Sequence, residues 1–339
     1  MNLEFIWFSA FVILATGYAL LDGFDLGVGM LHLIPKKDEE RRIMLNTIGP
    51  VWDGNEVWLV TAGGALFAGF PDVYATLGSA FYIPLMALLA VLIFRAVAIE
   101  FRSKNESIIW RWTFDILFAV ASLFIAMCLG LVLGNLIRGI PLDVNKEFIG
   151  SIEDLLNPYA LLVAIFTASV FCMHGAIYSL IKTEGDLQKT IESWIRPSII
   201  TFIILYSVTT IATLIFMPHM IDTLRERPIF LIVSILNILA IANIPREITH
   251  KRLGRAFISS CVNIICLLAP YGIGTYPNAI RAINDPANLS LTIYNSASSQ
   301  KTLGILLFIA ILGIPLVLSY TIAIYYIFRG KTRLESSSY

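Results

Sequence analysis

A chain of 339 residues with 57% hydrophobic and 14% charged side chains, and a mean hydropathy of +0.78, falls with polytopic membrane proteins and outside the soluble enzymes. Its 24 basic and 24 acidic residues cancel, which removes the electrostatic case for a nucleic-acid partner. The four cysteines, Cys128, Cys172, Cys261 and Cys266, lie inside apolar runs with no CxxC spacing and read as small buried hydrophobes.

A helix needs about 20 apolar residues to cross a hydrocarbon core about 30 Å thick. The first candidate span runs from Phe5 to Leu21 and continues amphipathically to Ile34. It has no basic n-region or small-residue cleavage site before it, so it reads as a retained span. Asp22 and Asp25 close its apolar stretch, and Gly23 and Gly27 form a small-xxx-small pair suited to close helix packing. The second span, Thr47–Phe70, opens on Gly49-Pro50-Val51-Trp52-Asp53-Gly54-Asn55-Glu56-Val57-Trp58 and carries Gly63 and Gly64 deeper in. The third, Tyr74–Ile99, ends in Arg95, Glu100 and Arg102, which read as interfacial anchors. The fourth, Thr113–Ile137, starts beside Asp115, an acid that calls for a basic neighbour. Pro158–Ile181, Pro197–Met217, Ile229–Ile244, Ala256–Ile273 and Leu303–Phe328 follow, giving nine spans. The runs are continuous rather than alternating, which excludes a β-barrel. The expected fold is an all-α polytopic membrane protein of helical bundles, one integral-membrane domain over residues 1–339.

Basic loop residues set the orientation. With the N-terminus outside and the C-terminus in the cytoplasm, 18 of the 24 lysines and arginines fall in inner loops, and Arg138, Lys146, Arg225, Arg227, Arg281 and Lys301 fall outside. At a rise of about 1.5 Å per residue, this orientation brings Asp22, Asp25, Asp53 and Glu56 to the cytoplasmic depth of two neighbouring helices. Each pair is spaced i, i+3 and shares a helix face.

Carboxylates at membrane depth cost several kcal/mol unless they face water, a partner or the protein interior. Asp53 reads either as a proton-path group or as a hydrogen-bond acceptor for Asn55 and nearby backbone. Asp25 reads as a path group or an interfacial acid, Asp22 as mainly structural, and Glu56 as too deep for a simply solvated acid. Trp52 and Trp58 read as an aromatic belt or as contacts to a quinone ring. Of the four histidines only His174 lies inside a span, in Phe171-Cys172-Met173-His174-Gly175; bis-histidine haem ligation would need a second. His and Cys are scattered, so no metal site is expected, and neither a phosphate-binding loop nor a dinucleotide fingerprint is present. The outer loop Thr275–Gln300 reads as a cap for a partner or as a solvated connection. From residues alone, an ion-coupled secondary transporter using the same carboxylates competes with a membrane-complex subunit, although broken helices at mid-membrane are missing.

Several stretches resemble one family. Asp22-Gly23-Phe24-Asp25-Leu26-Gly27-Val28-Gly29-Met30-Leu31, Glu40-Arg41-Arg42-Ile43-Met44 and Pro50-Val51-Trp52-Asp53-Gly54-Asn55-Glu56-Val57-Trp58-Leu59 are similar to motifs of subunit II of cytochrome bd-type quinol oxidases. So are Thr61–Ala68, Phe101–Lys104, Gly134–Gly139, Leu155–Pro158 and Asn295–Leu303. The resemblance implies a haem-free, non-catalytic subunit of a bacterial cytoplasmic (inner) membrane complex that oxidises quinol and reduces O2 to water. Haem b and haem d would sit in a homologous subunit I, the partner this chain scaffolds. It further implies a cytoplasmic proton path through Asp53 and Asp25, with Glu56 and Asp22 as neighbours. It leaves room for a structural quinone beside Trp52 and for small single-span accessory subunits. Val51 stands where some members carry His, and Glu56 where some carry Gln.

Overall fold

The computed structural model describes residues 2–226, 229–334 and 339. Arg227, which figured in the outer-loop charge count, lies outside the described residues, as does Pro228 just before the seventh expected span. Helices α1 (Leu3–Leu31), α2 (Asp38–Ile48), α3 (Trp52–Gly69), α4 (Pro71–Ala80), α5 (Tyr82–Phe101) and α6 (Ile108–Arg138) make the first half. A short α7 (Ile152–Leu155) leads into α8 (Pro158–Lys182), α9 (Gly185–Phe216), α10 (Pro218–Glu226), α11 (Ile229–Thr249) and α12 (Leu253–Thr275). A two-stranded antiparallel hairpin, β1 (Asn278–Ile280) and β2 (Leu291–Thr292), encloses the one-turn α13 (Pro286–Leu289) and precedes α14 (Gln300–Ile327).

Among the described residues, eight helices are long and apolar enough to cross a membrane: α1, α5, α6, α8, α9, α11, α12 and α14. The remaining expected span is α3. Its 18 residues rise about 27 Å, but its first turns are too polar for a composition test. The chain bends at Gly49–Val51, so the expected span Thr47–Phe70 divides between the end of α2 and α3. α3 then runs antiparallel along α1: Asn55 meets Asp25, Trp58 lies across Gly17, and Gly69 reaches Trp7. The third expected span likewise divides at Phe81 into α4 and α5. α9 begins at Gly185, about three turns before the expected start, and Pro197 sits inside it.

Small residues set the tightest crossing. A methyl on Gly175 of α8 would come within 2.5 Å of Gly27 Cα on α1, and one on Gly27 would strike the Phe171 carbonyl oxygen. Only glycine at both positions lets the two backbones touch. Gly23 takes the Phe171 ring on the same face. Around this crossing the core gathers Phe24, Leu26, Phe118, Ile125, Met173 and Ile177. Lys and Arg side chains collect at one end of the bundle, called here the basic end: Arg41 and Arg102 reach Asp115, and Lys331 reaches the last carbonyls of α8.

The loop from Thr275 to Gln300 is anchored on its own chain and is more than a solvated connection. Ile280, Ala282, Leu291 and Ile293 are buried with Trp7, Phe70, Phe81 and Ile140 at the opposite end. Asn284 exchanges two hydrogen bonds with the Leu142 backbone, and Ser298 donates to the Ala68 and Gly69 carbonyls that end α3. The hairpin closes the bundle of its own chain.

Candidate functional site: a buried carboxylate cluster around Arg95

The four carboxylates singled out in the sequence divide between two sides of α3. Asp22 and Asp25 on α1 are fully buried. Arg95 on α5 is fully buried too. Its Nη2 donates to Asp22 Oδ1 at 2.6 Å and its Nη1 to Asp22 Oδ2 at 3.1 Å, a bidentate pair. Glu56 joins from α3, with Oε2 3.5 Å from Arg95 Nη1 and its side chain 22% exposed. The expectation that Arg95 anchors at the interface is corrected. It lies six residues before the end of α5, and a guanidinium flanked by Phe94 and Ala96 faces inward because two carboxylates, Asp22 and Glu56, meet it there. The signal was available: an arginine inside an apolar run has a partner by default.

Asp25 takes no part in the Arg95 pair. Asn55 Nδ2 donates to Asp25 Oδ2 at 2.7 Å and reaches the Leu21 carbonyl at 3.4 Å. Asn55 Oδ1 accepts from the Tyr325 hydroxyl of α14 at 2.9 Å. Asp25 Oδ1 is buried with no hydrogen-bond partner among the described residues. Asn55 therefore bonds Asp25 rather than Asp53. Asp53 is exposed on the outer side of α3 and makes no hydrogen bond or ion pair among the described residues. It shares that side with Val57, Val60, Gly64 and Phe67, all exposed and spaced i, i+4, i+7, i+11, i+14. Gly54, Gly63 and Gly64 touch nothing within 4 Å of an added methyl.

Trp52 is buried at the start of α3, and Trp58 packs across Gly17 of α1. Neither lines the apolar cavity of about 260 Å³ that opens toward the opposite end between α8, α9, α11 and α12. Tyr159, Phe166, Met220 and Tyr271 wall it, and Thr209 Oγ1 and Asn237 Oδ1, on two of its lining residues, are buried without a partner.

A second ionic cluster lies at the basic end. Asp115 accepts from Arg102 Nε at 2.5 Å and pairs with His32 Nε2 at 2.6 Å and Arg41 at 3.3 Å. Asp38 then bridges Arg102 and Arg111 at 2.7 and 2.8 Å. The basic neighbour expected for Asp115 is thus three residues, one of them a histidine that spacing gave no reason to choose.

The four histidines do not supply the two free, buried ring nitrogens of a bis-histidine haem pair. His174 is buried, stacked 4.8 Å over Phe257. Its Nδ1 pairs with Ser260 Oγ at 2.7 Å and its Nε2 with the Leu20 carbonyl at 3.0 Å, so neither nitrogen is free for iron. His32 is committed to Asp115, His219 to the Ile137 carbonyl and His250 to the Arg246 carbonyl. Among the described residues no three His, Cys, Asp or Glu side chains are grouped for a metal.

Over residues 3–328 the sequence matches the family model of cytochrome bd terminal oxidase subunit II, and the chain belongs to that family. It is 32% identical to the cytochrome bd-I ubiquinol oxidase subunit 2 of Escherichia coli over 98% of this chain and 96% of that one. It is 34% identical to the probable cytochrome oxidase subunit 2 of Haemophilus influenzae (94% and 92% covered). With the cytochrome bd ubiquinol oxidase subunit 2 of Bacillus subtilis the identity is 32% (97% and 97%). Its fold matches a chain of the bd oxidase structure from Geobacillus thermodenitrificans with a TM-score of 0.79 at 20% identity, covering 97% of this chain and 99% of that chain. The resemblance carried by Asp22–Leu31 and Pro50–Leu59 is borne out. The chain is a multi-pass membrane subunit of a bacterial bd-type oxidoreductase.

Proposed function

We propose that this chain is the haem-free scaffold subunit of a quinol oxidase and also carries protons toward its haem-bearing partner, subunit I. The observation that carries the reading is the pairing of a buried carboxylate cluster with an unpartnered acidic stripe on one helix. Two carboxylates, Asp22 and Glu56, share one guanidinium, and a third, Asp25, is held by Asn55 alone. That leaves proton-accepting capacity at membrane depth. Asp53, one turn from Glu56, stands exposed on the stripe Asp53–Val57–Val60–Gly64–Phe67. A carboxylate there is not stable against lipid. A protein partner or partner-bound water must cover it, and the bare glycines beside it suit close helix approach. α14, with 6% of its apolar window buried, adds to the uncovered surface.

In this reading nine helices span the membrane as one domain, with the N-terminus outside and the basic end in the cytoplasm. Reduction of O2 to water draws protons from the cytoplasm while quinol releases its own outside, so charge separates without a pump. Haem b and haem d belong to subunit I, which supplies the redox chemistry. The acids of this chain hold and pass protons, and Arg95 fixes Asp22 and Glu56 in place. The apolar cavity bearing Thr209 and Asn237 suits the ring of a structural quinone, an apolar site with the Thr209 hydroxyl to donate to a ring carbonyl and Asn237 Oδ1 to accept from a quinol hydroxyl. Trp52 and Trp58 then act as packing residues.

Affinity purification of the complex through this chain in mild detergent tests the assignment. A reduced-minus-oxidised spectrum with haem b and haem d bands, accompanying a second polytopic chain, is the expected result. Haem retained by this chain after the partner is stripped away would overturn the haem-free assignment.

A further inference from the structure

A groove of about 470 Å³ runs between α11 and α12. Leu236, Leu239 and Ala242 of α11 and Ile258 and Val262 of α12 line it. Within it Asn243 Nδ2 donates to Ser259 Oγ at 2.9 Å, and that bond fixes the antiparallel register of the two helices. Arg246 lies one turn after Asn243 on α11, and Arg255 one turn before Ser259 on α12. Both therefore stand at the same level, toward the basic end, and both are exposed. Arg246 lines the groove, and its Nη1 reaches Asn243 Oδ1 only at 3.4 Å. The turn between the helices adds Lys251 and Arg252, so residues 246–255 hold four fixed cations against one acid, Glu247. Glu247 is buried and stands 4.0 Å from Arg246 Nη1, past hydrogen-bonding distance. α12 starts at Leu253 with no side chain capping its first N–H groups, which leaves the positive end of a helix dipole at the same place.

We propose that this groove binds one anionic phospholipid, with an acyl chain along the groove and the phosphate between Arg246, Arg255 and the first turn of α12. The proposal is independent of the proton-path reading. Cations at helix ends alone set the orientation of a membrane chain. Here two of them stand in register on neighbouring helices, at the mouth of an apolar groove that opens to the side of the bundle, where hydrocarbon fills it. Basic pockets between membrane helices recognise anionic headgroups in this way. The excess of positive charge selects a headgroup of net negative charge over a zwitterionic one, whose own ammonium would meet the arginines. α11 packs chiefly against α12, so a lipid held by both helices acts as a second clamp on α11.

The test uses the intact complex, purified in mild detergent and exchanged into mixed micelles containing phosphatidylglycerol or phosphatidylcholine, with retained lipid counted by native mass spectrometry. Wild type is compared with Arg246→Gln/Arg255→Gln, which removes charge, and with Ala242→Trp, which fills the groove and leaves the charge in place. Expected are phosphatidylglycerol retained by wild type in preference to phosphatidylcholine and a several-fold loss of that retention in both variants, with haem spectra unchanged. Equal retention of phosphatidylglycerol by all three proteins overturns the proposal and leaves the cations as orientation signals only. Equal retention of the two lipids by wild type overturns it as well, since the groove then takes chains without reading charge. A thermal midpoint raised by inorganic phosphate as much as by phosphatidylglycerol assigns the arginines to free anions instead. A small protein chain that accompanies wild type and is lost in Ala242→Trp makes the groove a protein interface. Should Arg246→Gln/Arg255→Gln fail to assemble, unaltered retention in Ala242→Trp overturns the proposal by itself.

Discussion

Arg95 holds the most charge in the least space. Its guanidinium joins α5 to Asp22 on α1 and Glu56 on α3. Removing one partner of a buried ion pair leaves the others uncompensated and costs about 3–5 kcal/mol. Arg95→Gln is therefore expected to lower the thermal midpoint of the purified complex or to abolish its assembly, read by size-exclusion chromatography and haem content. An assembled complex of wild-type stability would show that the carboxylates are compensated elsewhere. Asp53 behaves differently because it is exposed and makes no hydrogen bond or ion pair among the described residues. Asp53→Asn is expected to leave assembly intact and lower oxygen consumption; loss of the whole complex would make it structural, and normal turnover would remove it from the path. The acids were legible in the sequence because carboxylates stand out against apolar runs. Their division was not: Asp53 and Asn55 are two residues apart, and the helical turn sends one outward and the other to Asp25. Tyr325 was invisible, since a tyrosine near the end of an apolar span looks like an aromatic belt until α14 is seen against α3.

At the scale of elements, two sets of glycines make opposite expectations. Gly27 and Gly175 meet backbone to backbone where α1 crosses α8. Gly175→Val forces the helices apart, and overpacking of this kind costs about 1–3 kcal/mol or more. The subunit is expected to fail to accumulate, read by immunoblot of membranes. At Gly64 an added Cβ meets nothing within 4 Å among the described residues, so Gly64→Leu points its side chain off the outer side of α3. It is expected to leave the subunit folded but to weaken its co-purification with subunit I. Loss of the subunit itself would place that stripe inside the fold instead. The Gly23-x-x-x-Gly27 pattern thus foretold a real packing face, and the same logic for Gly63 and Gly64 found a face with no counterpart among the described residues. The breaks at Gly49–Val51 and Phe81 and the early start of α9 escaped a hydropathy reading, because a run of apolar residues does not record where its helix bends.

At the scale of the molecule, the charge asymmetry read from the loops is reproduced in space, where basic side chains gather at one end and the β-hairpin closes the other. The orientation drawn from that asymmetry expects Lys104→Cys to react with an impermeant thiol reagent only from the cytoplasm and Asn145→Cys only from outside; the reverse pattern would invert the proton path. All-helical architecture and family were legible because both depend on composition and on dense local motifs. The closing hairpin was not, because its burial depends on contacts with Trp7, Phe70 and Ile140, far away in the chain.

The account stands most directly on Asp25. Asp25→Asn in the purified complex, with haem content matched to wild type, should reduce quinol-driven oxygen consumption by about a hundredfold or more, the low end of what a lost proton-transfer group costs. Turnover equal to wild type, at equal haem content, would contradict a proton path through this subunit.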